Sequence, residues 1–590
     1  MSDSQKKQDG TPQGVNRRDF IFRGAIGAGA VALSGALLGC GSSGTQEAIS
    51  SAASPSLSSW KFGVMADTQW TVANDGSDPY SVAANIISQI NNQFISNGVK
   101  FVVQVGDLTD QSYNGHPEYL DMRARMAQSL YNAGIGFYPL RGNHEDLSTV
   151  ATRFQTDFPQ TQNGVNNNSP AAVLALTMPD GSADNAVSNT GSTFTLGSNF
   201  NSPTSDLDGL SYAFDYSNAR FVFLDQFSYP NSAYSTNTSI AAQQSWITSM
   251  LSGRTANTHA FVFGHKGLIT ENHADVLFGN DPSQNATATD AFIKSLANNG
   301  AHYYIFGHDH MHERSIVTTT DGTTASVNQL LCASDSSKFY IPANPTNDSK
   351  YNSISRQTVL QEDLYKIGFY IFTVTGALVT VDYYAADSGA VDDGSEYLIS
   401  STPTLSFVKK ETFGYALNGK EYVIAQGGSY TGISSTSSLT YGTTAKILSG
   451  SNLSIATDAA GRKIVKAVDT GWLQGQAVGT GAASDMFSLC GMQAALGSTQ
   501  TDTYTLSLSY LVTAGTSAAE LHGGHFGLAT LDSSGNWAAA VNKNTGGTST
   551  FVAGPWEASY GLGTWGVDIA TGTAWAVLNH NGLFAVVYGI

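Results

Sequence analysis

The stretch FGHDHMH, Phe306 to His312, holds three histidines at alternate positions. An extended chain repeats its side-chain direction every second residue, so a strand there puts His308, His310 and His312 on one face. Imidazole is the commonest metal-binding side chain, and three of the chain's twelve histidines lie within five positions. Residues of matching chemistry stand far away in the chain. They are Asp67 in KFGVMADTQ, Asp107 and Asp110 in KFVVQVGDLTD, Asn143 and His144 in GFYPLRGNHED, and His265 in AFVFGHKG. Asp67, Asp107, Asn143, His265, His308 and His310 make a mixed oxygen and nitrogen ligand set, large enough for two metal ions. Oxygen and imidazole donors without thiolate suit iron, manganese or zinc.

Each of these groups ends a run of four to six apolar or β-branched residues, the length of a buried strand. Helical patterns lie between the runs. SVAANIISQINNQFISNG places Val82, Ile86, Ile90 and Phe94 at fourfold spacing and stops at Asn97-Gly98. EYLDMRARMAQSLYNAG stops at Gly134, and TDAFIKSLANNG at Asn299-Gly300. A strand pattern begins directly after each of these glycines. The alternation argues for α/β units. In such sheets ligands bind beyond the carboxyl ends of the strands, which is where every one of these polar groups sits.

LSYAFDYSNARFVFLDQF predicts a hairpin turning at Ser217-Asn218, and QQSWITSMLSGR restores the α/β pattern before His265. IGFYIFTVTGALVTVDYYA, around 367–385, predicts a closing hairpin. Residues 146–210 are a loop-rich insert between two of the site segments, either a lid or a disordered insert. After about residue 400 alternating strands recur in KEYVIAQ, RKIVKAV, TYTLSLSYLV and GTAWAVLNHNGLFAVVYGI. They predict an all-β sandwich, with Asn581-Gly582 as a tight hairpin turn. Its many Tyr and Trp permit carbohydrate or cell-wall contact, or fill its core. His522 and His525 in LHGGH read as a surface loop.

A chain of 590 residues exceeds one ordinary core. Charged residues make up 13%, roughly half the usual ~25%, and Gly, Ser, Thr and Asn fill the gap, as in exported, turn-rich proteins. The net charge is -18 with no basic stripe, so stable nucleic-acid binding is not expected. Three cysteines, Cys40, Cys332 and Cys490, make no disulfide scaffold. The N-terminal NRRDFIFRGAIGAGAVALSGALLGC resembles a twin-arginine export signal, with Arg17 and Arg18 before an uncharged apolar run. It ends in Leu37-Leu38-Gly39-Cys40, which resembles a lipoprotein processing site with Cys40 as the lipidated residue. The expected organisation is a signal over 1–40, a flexible linker over 41–58, a catalytic domain over 59–400 and a β-rich domain over 405–590. The expected location is periplasmic or cell-surface, with a lipid anchor in the membrane.

Five segments together carry a family resemblance. They are Asp67-Thr68-Gln69, Gly106-Asp107-Leu108-Thr109-Asp110, Gly142-Asn143-His144-Glu145, Val262-Phe263-Gly264-His265 and Gly307-His308-Asp309-His310. In order and spacing they are similar to the signature of the calcineurin-like metallophosphoesterase family, over roughly 59–390. The resemblance implies a four-layer αββα sandwich, two mixed β-sheets face to face with helices outside. It implies a dinuclear phosphoric ester hydrolase in which a metal-bridging hydroxide attacks a phosphomonoester or phosphodiester. Carried over, Asp67, Asp107 and His310 would hold the first metal. Asp107, Asn143, His265 and His308 would hold the second, with Asp107 shared. Asn143 would also orient the phosphoryl group. His144 would stabilise the transition state or protonate the leaving oxygen, and Asp110 would orient His144.

The first family motif is usually Asp-x-His, whereas here Gln69 stands in the third place. Its carbonyl oxygen can still ligate the first metal, or the change leaves that metal weakly held. The purple acid phosphatase branch has a tyrosine where Asp110 stands, so a tyrosinate-coloured ferric site is not expected. His312 is expected to support the site from behind or to be exposed, Asp309 to be structural, and Glu145 to start a helix. Arg141 is expected in a sheet-end ion pair, and His116, His259, His273 and His302 are expected to be ordinary. The alternative is an envelope-anchored surface-binding lipoprotein whose phosphoesterase domain is impaired through Gln69.

Overall fold

The computed structural model describes residues 58–69, 79–110, 118–166, 194–227, 239–269, 271–280, 284–342, 356–389, 397–398, 404–417, 420–433, 436–438, 441–451, 457–473, 481–493 and 500–590. The segment expected to be an export signal, with Cys40, the expected tether up to residue 57, residues 167–193 of the loop-rich insert, and His116 lie outside these residues. No helix among the described residues is long and apolar enough to cross a membrane.

The apolar runs form strands, and the strands form two facing sheets. The first runs in the order Val408–Ala416, Leu378–Asp387, Lys366–Thr375, Ser59–Met65, Phe101–Val105, Gly136–Leu140. Its last three strands are parallel. The second sheet runs Gln357–Asp363, His312–Thr318, Ser326–Leu331, Tyr303–Phe306, His259–Phe263, Ala219–Phe223, Tyr212–Tyr216, Ser198–Asn201. Its four strands from Ser326–Leu331 to Ala219–Phe223 are parallel. The hairpins expected at Ser217-Asn218 and around 367–385 both form. The strand Val408–Ala416 closes the edge of the first sheet by pairing with Leu378–Asp387.

Period-2 alternation decides which face each side chain serves. In the first sheet Phe62, Val64, Phe101, Val103 and Val105 enter the core between the sheets. Met65, Val102 and Phe137 point the other way, onto Ile86, Ile90 and Phe94 of the helix Pro79–Asn97. In the second sheet Phe261 and Phe263 meet the shared core, while Ala260 and Val262 pack on Ile247 and Phe292. Those two belong to the helices Ser239–Ser252 and Ala286–Asn298. The result is the αββα sandwich that the resemblance implies. The shared core is largely aromatic, with Phe62 stacked on Phe372 at 4.6 Å between centroids.

Two local expectations fail. The pattern EYLDMRARMAQSLYNAG forms two helices, Glu118–Met126 and Gln128–Asn132. Between them the Ala127 N–H donates to Ala124 three residues back, a tighter turn than the α-helix makes. The three alternate histidines do not share a strand either. His308 and His310 have φ of 82° and 51° and lie in a loop, and the strand begins only at His312. The period-2 argument therefore does not hold across this segment. His312 is buried inside the sandwich, with Nδ1 at 2.9 Å from the Tyr370 hydroxyl and Nε2 at 3.0 Å from Glu411.

The C-terminal region is all β. One sheet runs Lys420–Ile424, Lys466–Trp472, Phe487–Cys490, Gly582–Tyr588, Phe526–Leu531, Trp537–Ala539. The other runs Thr436–Ser437, Thr444–Gly450, Tyr504–Ser509, Thr573–Leu578, Thr564–Asp568, Thr550–Ala553. Val468, Phe487, Leu528 and Phe584 from one sheet share a core with Leu506, Leu508, Val567 and Leu578 from the other. Asn581-Gly582 is not a hairpin turn, because the strands on either side of it belong to different sheets. The link crosses the sandwich so that both strands bury apolar faces in one core. Asn579 secures it, with its amide paired to the backbone of Thr545 at 3.0 Å in both directions. Cys332 and Cys490 are buried free thiols.

Candidate metal centre

Every sequence-predicted ligand follows the carboxyl end of a parallel strand. Ser59–Met65, Phe101–Val105 and Gly136–Leu140 deliver Asp67, Asp107 and Asn143 from the first sheet. His259–Phe263 and Tyr303–Phe306 deliver His265, His308 and His310 from the second. Facing the two sheets brings these ends together. Two groups of ligand-type atoms result, Asp67 with Asp107 and His310, and Asp107 with His265 and His308. Within each of these two groups the atoms lie within 4.8 Å of one another, and Asp107 belongs to both; His273, His308 and Asp309 form a third such group, outside the predicted ligand set apart from His308.

The backbone is bent to make this possible. Asp67, Gln69, Asp107, His308 and His310 all have positive φ, between 40° and 82°. Non-glycine residues adopt that region at a cost, and such residues cluster at functional sites. Two glycines permit the crowding. A Cβ on Gly142 would stand 1.9 Å from the Asp107 carboxylate. Gly106, at φ of 93°, would put one 2.3 Å from His265 Nδ1.

Hydrogen bonds tie the loops to each other. The Gln69 N–H donates to the Asp107 carbonyl at 2.9 Å. Glu145, fully buried, accepts from the N–H of Gly142 and from both the N–H and hydroxyl of Thr109. It ends the short 3-10 helix Asn143–Glu145 rather than starting a helix as expected, and it clasps two ligand loops together. Arg141 makes the expected ion pair, with Nε at 2.7 Å from Asp225. Arg123, buried, donates to Gln104 and Thr68 beneath the Asp67 loop.

The imidazoles are oriented for ligation. His265 Nδ1 faces the Val105 carbonyl at 2.9 Å, and His310 Nδ1 faces the Lys338 carbonyl at 3.0 Å. A carbonyl only accepts, so each Nδ1 carries a hydrogen and each Nε2 is the atom left for the site. Those Nε2 atoms face Asp107 at 3.1 Å and Asp67 at 3.7 Å. His308 turns the other way, giving Nε2–H to Asp275 at 3.2 Å and leaving Nδ1 for the site. A second hydrogen bond that sets the ring orientation is the usual support of a metal-binding histidine. Burial pushes His308 down to about 4 and His310 down to about 3, so both are neutral near pH 7, as ligation requires.

Burial, and after it the neighbouring Asp107, raise Asp67 well above the carboxylate range. Burial also works against ionisation of Asp107, but His265 and His144 outweigh it and hold Asp107 well below its ordinary value. Asp67 Oδ2 and Gln69 Oε1 are buried without a hydrogen-bond partner. Unsatisfied buried oxygens are rare and need an explanation; a cation bound beside them would supply one. The residues present fit two metal ions.

His144 stands at the rim, about a fifth exposed. Its Nδ1 donates to the Asp110 carbonyl, and its Nε2 lies 3.7 Å from Asp107 and 3.4 Å from the Gln69 amide nitrogen. Asn143 Oδ1 lies 2.9 Å from His265 Nε2. Asp110 is held by Lys338 at 2.9 Å.

Several supporting residues escaped sequence reasoning. Asp335 accepts from the Ala66 N–H at 3.0 Å and anchors the Asp67 loop. It follows the parallel strand Ser326–Leu331, so the strand-end rule applied to QLLCASD could have found it. His273, expected to be ordinary, stacks on His308 at 4.4 Å between centroids and bonds Asp309 at 2.6 Å. His273, Asp275 and Lys338 lie outside the strand-end pattern and gave no signal. Asp309 is structural, as expected, accepting from the backbone of Glu271 and His273. His259 and His302 lie away from the centre, against Tyr415. His522 and His525 form no metal-type group among the described residues.

Residues 61–312 match the family model described as calcineurin-like phosphoesterase. No curated protein sequence matches the chain. Among solved structures, purple acid phosphatase PPD1 from yellow lupin (Lupinus luteus) seeds is similar at 15% identity and a TM-score of 0.33. That match covers 61% of this chain and 54% of the lupin chain, so this chain spans about half the length of that relative. A dimetal phosphatase from Danio rerio is similar at 13% identity, covering 59% of this chain and 98% of that one, with a TM-score of 0.32. GAP50, the anchor in the inner membrane complex of Plasmodium, is similar at 15% identity, covering 59% and 91%, with a TM-score of 0.29.

Proposed function

We propose that the protein is a metal-dependent phosphoesterase that hydrolyses phosphomonoesters or phosphodiesters outside the cytoplasm. The observation that carries the reading is the pair of ligand groups sharing the ionised carboxylate of Asp107. A carboxylate between two cations offsets their repulsion. Asp67, Gln69, Asp107 and His310 would hold one ion, and Asp107, Asn143, His265 and His308 the other. When bound, the ions supply Lewis acidity that polarises the phosphoryl oxygens and neutralises developing charge.

The protein's own groups do the rest. With Nδ1–H given to the Asp110 carbonyl, His144 has only Nε2 with which to hold a second proton. Burial opposes that charge, but Asp107 and Asp110 raise the His144 pKa above its ordinary value. His144 thus offers a proton to the leaving oxygen, or a hydrogen bond to the charge building on it. Lys338 holds Asp110, and Asp110 holds His144. The Asn143 amide would orient the phosphoryl group.

Export by the twin-arginine route with a lipid on Cys40 completes the proposal, supported by Arg17, Arg18 and the Leu37–Cys40 segment. The test is hydrolysis of a chromogenic phosphomonoester and its diester counterpart by the purified chain, reconstituted with manganese, iron or zinc in turn. Metal-dependent turnover is expected. Two bound ions per chain with no turnover on any phosphate ester would overturn the assignment.

A further inference from the structure

The C-terminal β region contributes one charged side chain to the surroundings of the metal centre. Arg462 precedes the strand Lys466–Trp472 and is nearly buried. Its Nη2 donates to Glu271 Oε2 at 2.6 Å and to Glu313 Oε2 at 3.1 Å. Its Nη1 donates to Gln357 at 3.1 Å, and its Nε to Asp458. Gln357 in turn donates to Glu271 Oε1 at 2.6 Å and to Glu313 Oε1 at 2.9 Å. Glu271 and Glu313 are both buried, so one guanidinium stands between two carboxylates that would otherwise repel.

Glu271 opens the segment that lies against His308. The Glu271 N–H donates to Asp309 Oδ2, and the His273 N–H to Asp309 Oδ1 at 3.0 Å. The His273 ring covers the His308 ring at 4.4 Å, while Asp275 takes the His308 Nε2–H at 3.2 Å. Residues 271, 273 and 275 therefore fix both the ring position of His308 and its tautomer. Arg462 holds the first of them from outside the catalytic sheets. Its own position is set by the Val465 N–H on the Val359 carbonyl at 2.8 Å, and by Ala467 packed on Ile316 and Leu360.

We propose that Arg462 is a positioning residue for the second metal position, and that through it the C-terminal β region holds the 271–275 segment against His308. This rests on the dinuclear reading above. Substrate contact by the C-terminal region is not required for that region to affect the reaction.

The test uses cobalt(II) titrations of the full purified chain, wild type, Arg462→Met and Arg462→Lys, followed by the cobalt visible spectrum. The protein's near-ultraviolet circular dichroism is recorded in parallel. Second-layer partners of metal ligands are commonly worth roughly 10–100-fold in affinity. Arg462→Met should weaken one of two cobalt ions by roughly tenfold and alter that ion's spectrum, leaving the other unchanged. Arg462→Lys, which keeps the charge but loses the fork, should fall between. If Arg462→Met does not fold, Arg462→Lys decides. Both ions binding as in wild type, or both weakening equally, would overturn the proposal. Wild type binding two cobalt ions without phosphoesterase turnover would sink the functional reading and leave this inference standing. Wild type binding none would overturn both.

Discussion

The backbone N–H of His308 donates to Oδ1 of Asp67 at 2.9 Å, across 241 positions of sequence. The two residues come from different sheets, so this bond joins the two halves of the sandwich at the metal centre. The same oxygen lies 3.7 Å from His310 Nε2, while Oδ2 is buried without a hydrogen-bond partner.

Asp107 is the residue that both ligand groups share. Asp107→Asn should abolish turnover and take bound metal from two ions per chain toward none, measured by elemental analysis after dialysis. A variant that keeps both ions would show that the sharing is not essential.

His144 stands at the rim of the centre without belonging to either ligand group. His144→Ala should lower kcat by about 10²–10⁴-fold while metal content stays at the wild-type level. The loss should shrink for esters with very acidic leaving groups, which need no proton. A uniform loss across leaving groups would point to orientation instead.

Gly142→Ala should act through Asp107 alone. The added methyl would stand 1.9 Å from the carboxylate, so Asp107 must move, while the strand Gly136–Leu140 is untouched. Circular dichroism should be unchanged and metal affinity should fall. Full metal loading would show that the loop gives way more easily than this geometry implies.

Arg141 and Asp225 form a fully buried pair, and Arg141 Nη1 also holds the Glu145 carbonyl at 2.9 Å. Removing one partner of such a pair costs about 3–5 kcal/mol. Arg141→Met should lose that much in denaturant unfolding, and because Glu145 clasps the Asn143–His144 loop, turnover should fall too.

His259 is buried, gives Nε2–H to the Gly376 carbonyl at 3.0 Å, and is pushed down to about 4 by burial. In the unfolded chain it takes up a proton near pH 6.5; in the folded chain it does not until about 4. Its neutral burial therefore stabilises fully above 6.5, and stability falls as pH drops from 6.5 toward 4, by about 3 kcal/mol. His259→Gln keeps the donor and should flatten that slope in unfolding measured across pH 4–7. An unchanged slope would assign the acid sensitivity elsewhere.

The candidate ligands are readable from the chain because each follows closely on a buried strand. Apolar runs such as KFVVQV and YYIF declare the strand locally, and the polar residue next in line falls at its carboxyl end by covalent connection. Local period, helix stops and ligand types all lie within a few residues of one another, which is the range over which sequence patterns act. What lies between distant segments has no such signature. The pairing of the two sheets brings His308 to Asp67. The loop path, not strand alternation, separates His308 and His310 from His312. Lys338 and His273 reach the centre, and Arg462 the 271–275 segment beside it, from stretches that carry no ligand pattern. The chain at Asn581-Gly582 looks like a hairpin turn by composition, yet the link crosses between sheets because both flanking strands bury their apolar faces in one core. Those arrangements are settled by which surfaces bury each other, and burial is decided only when the whole chain has packed.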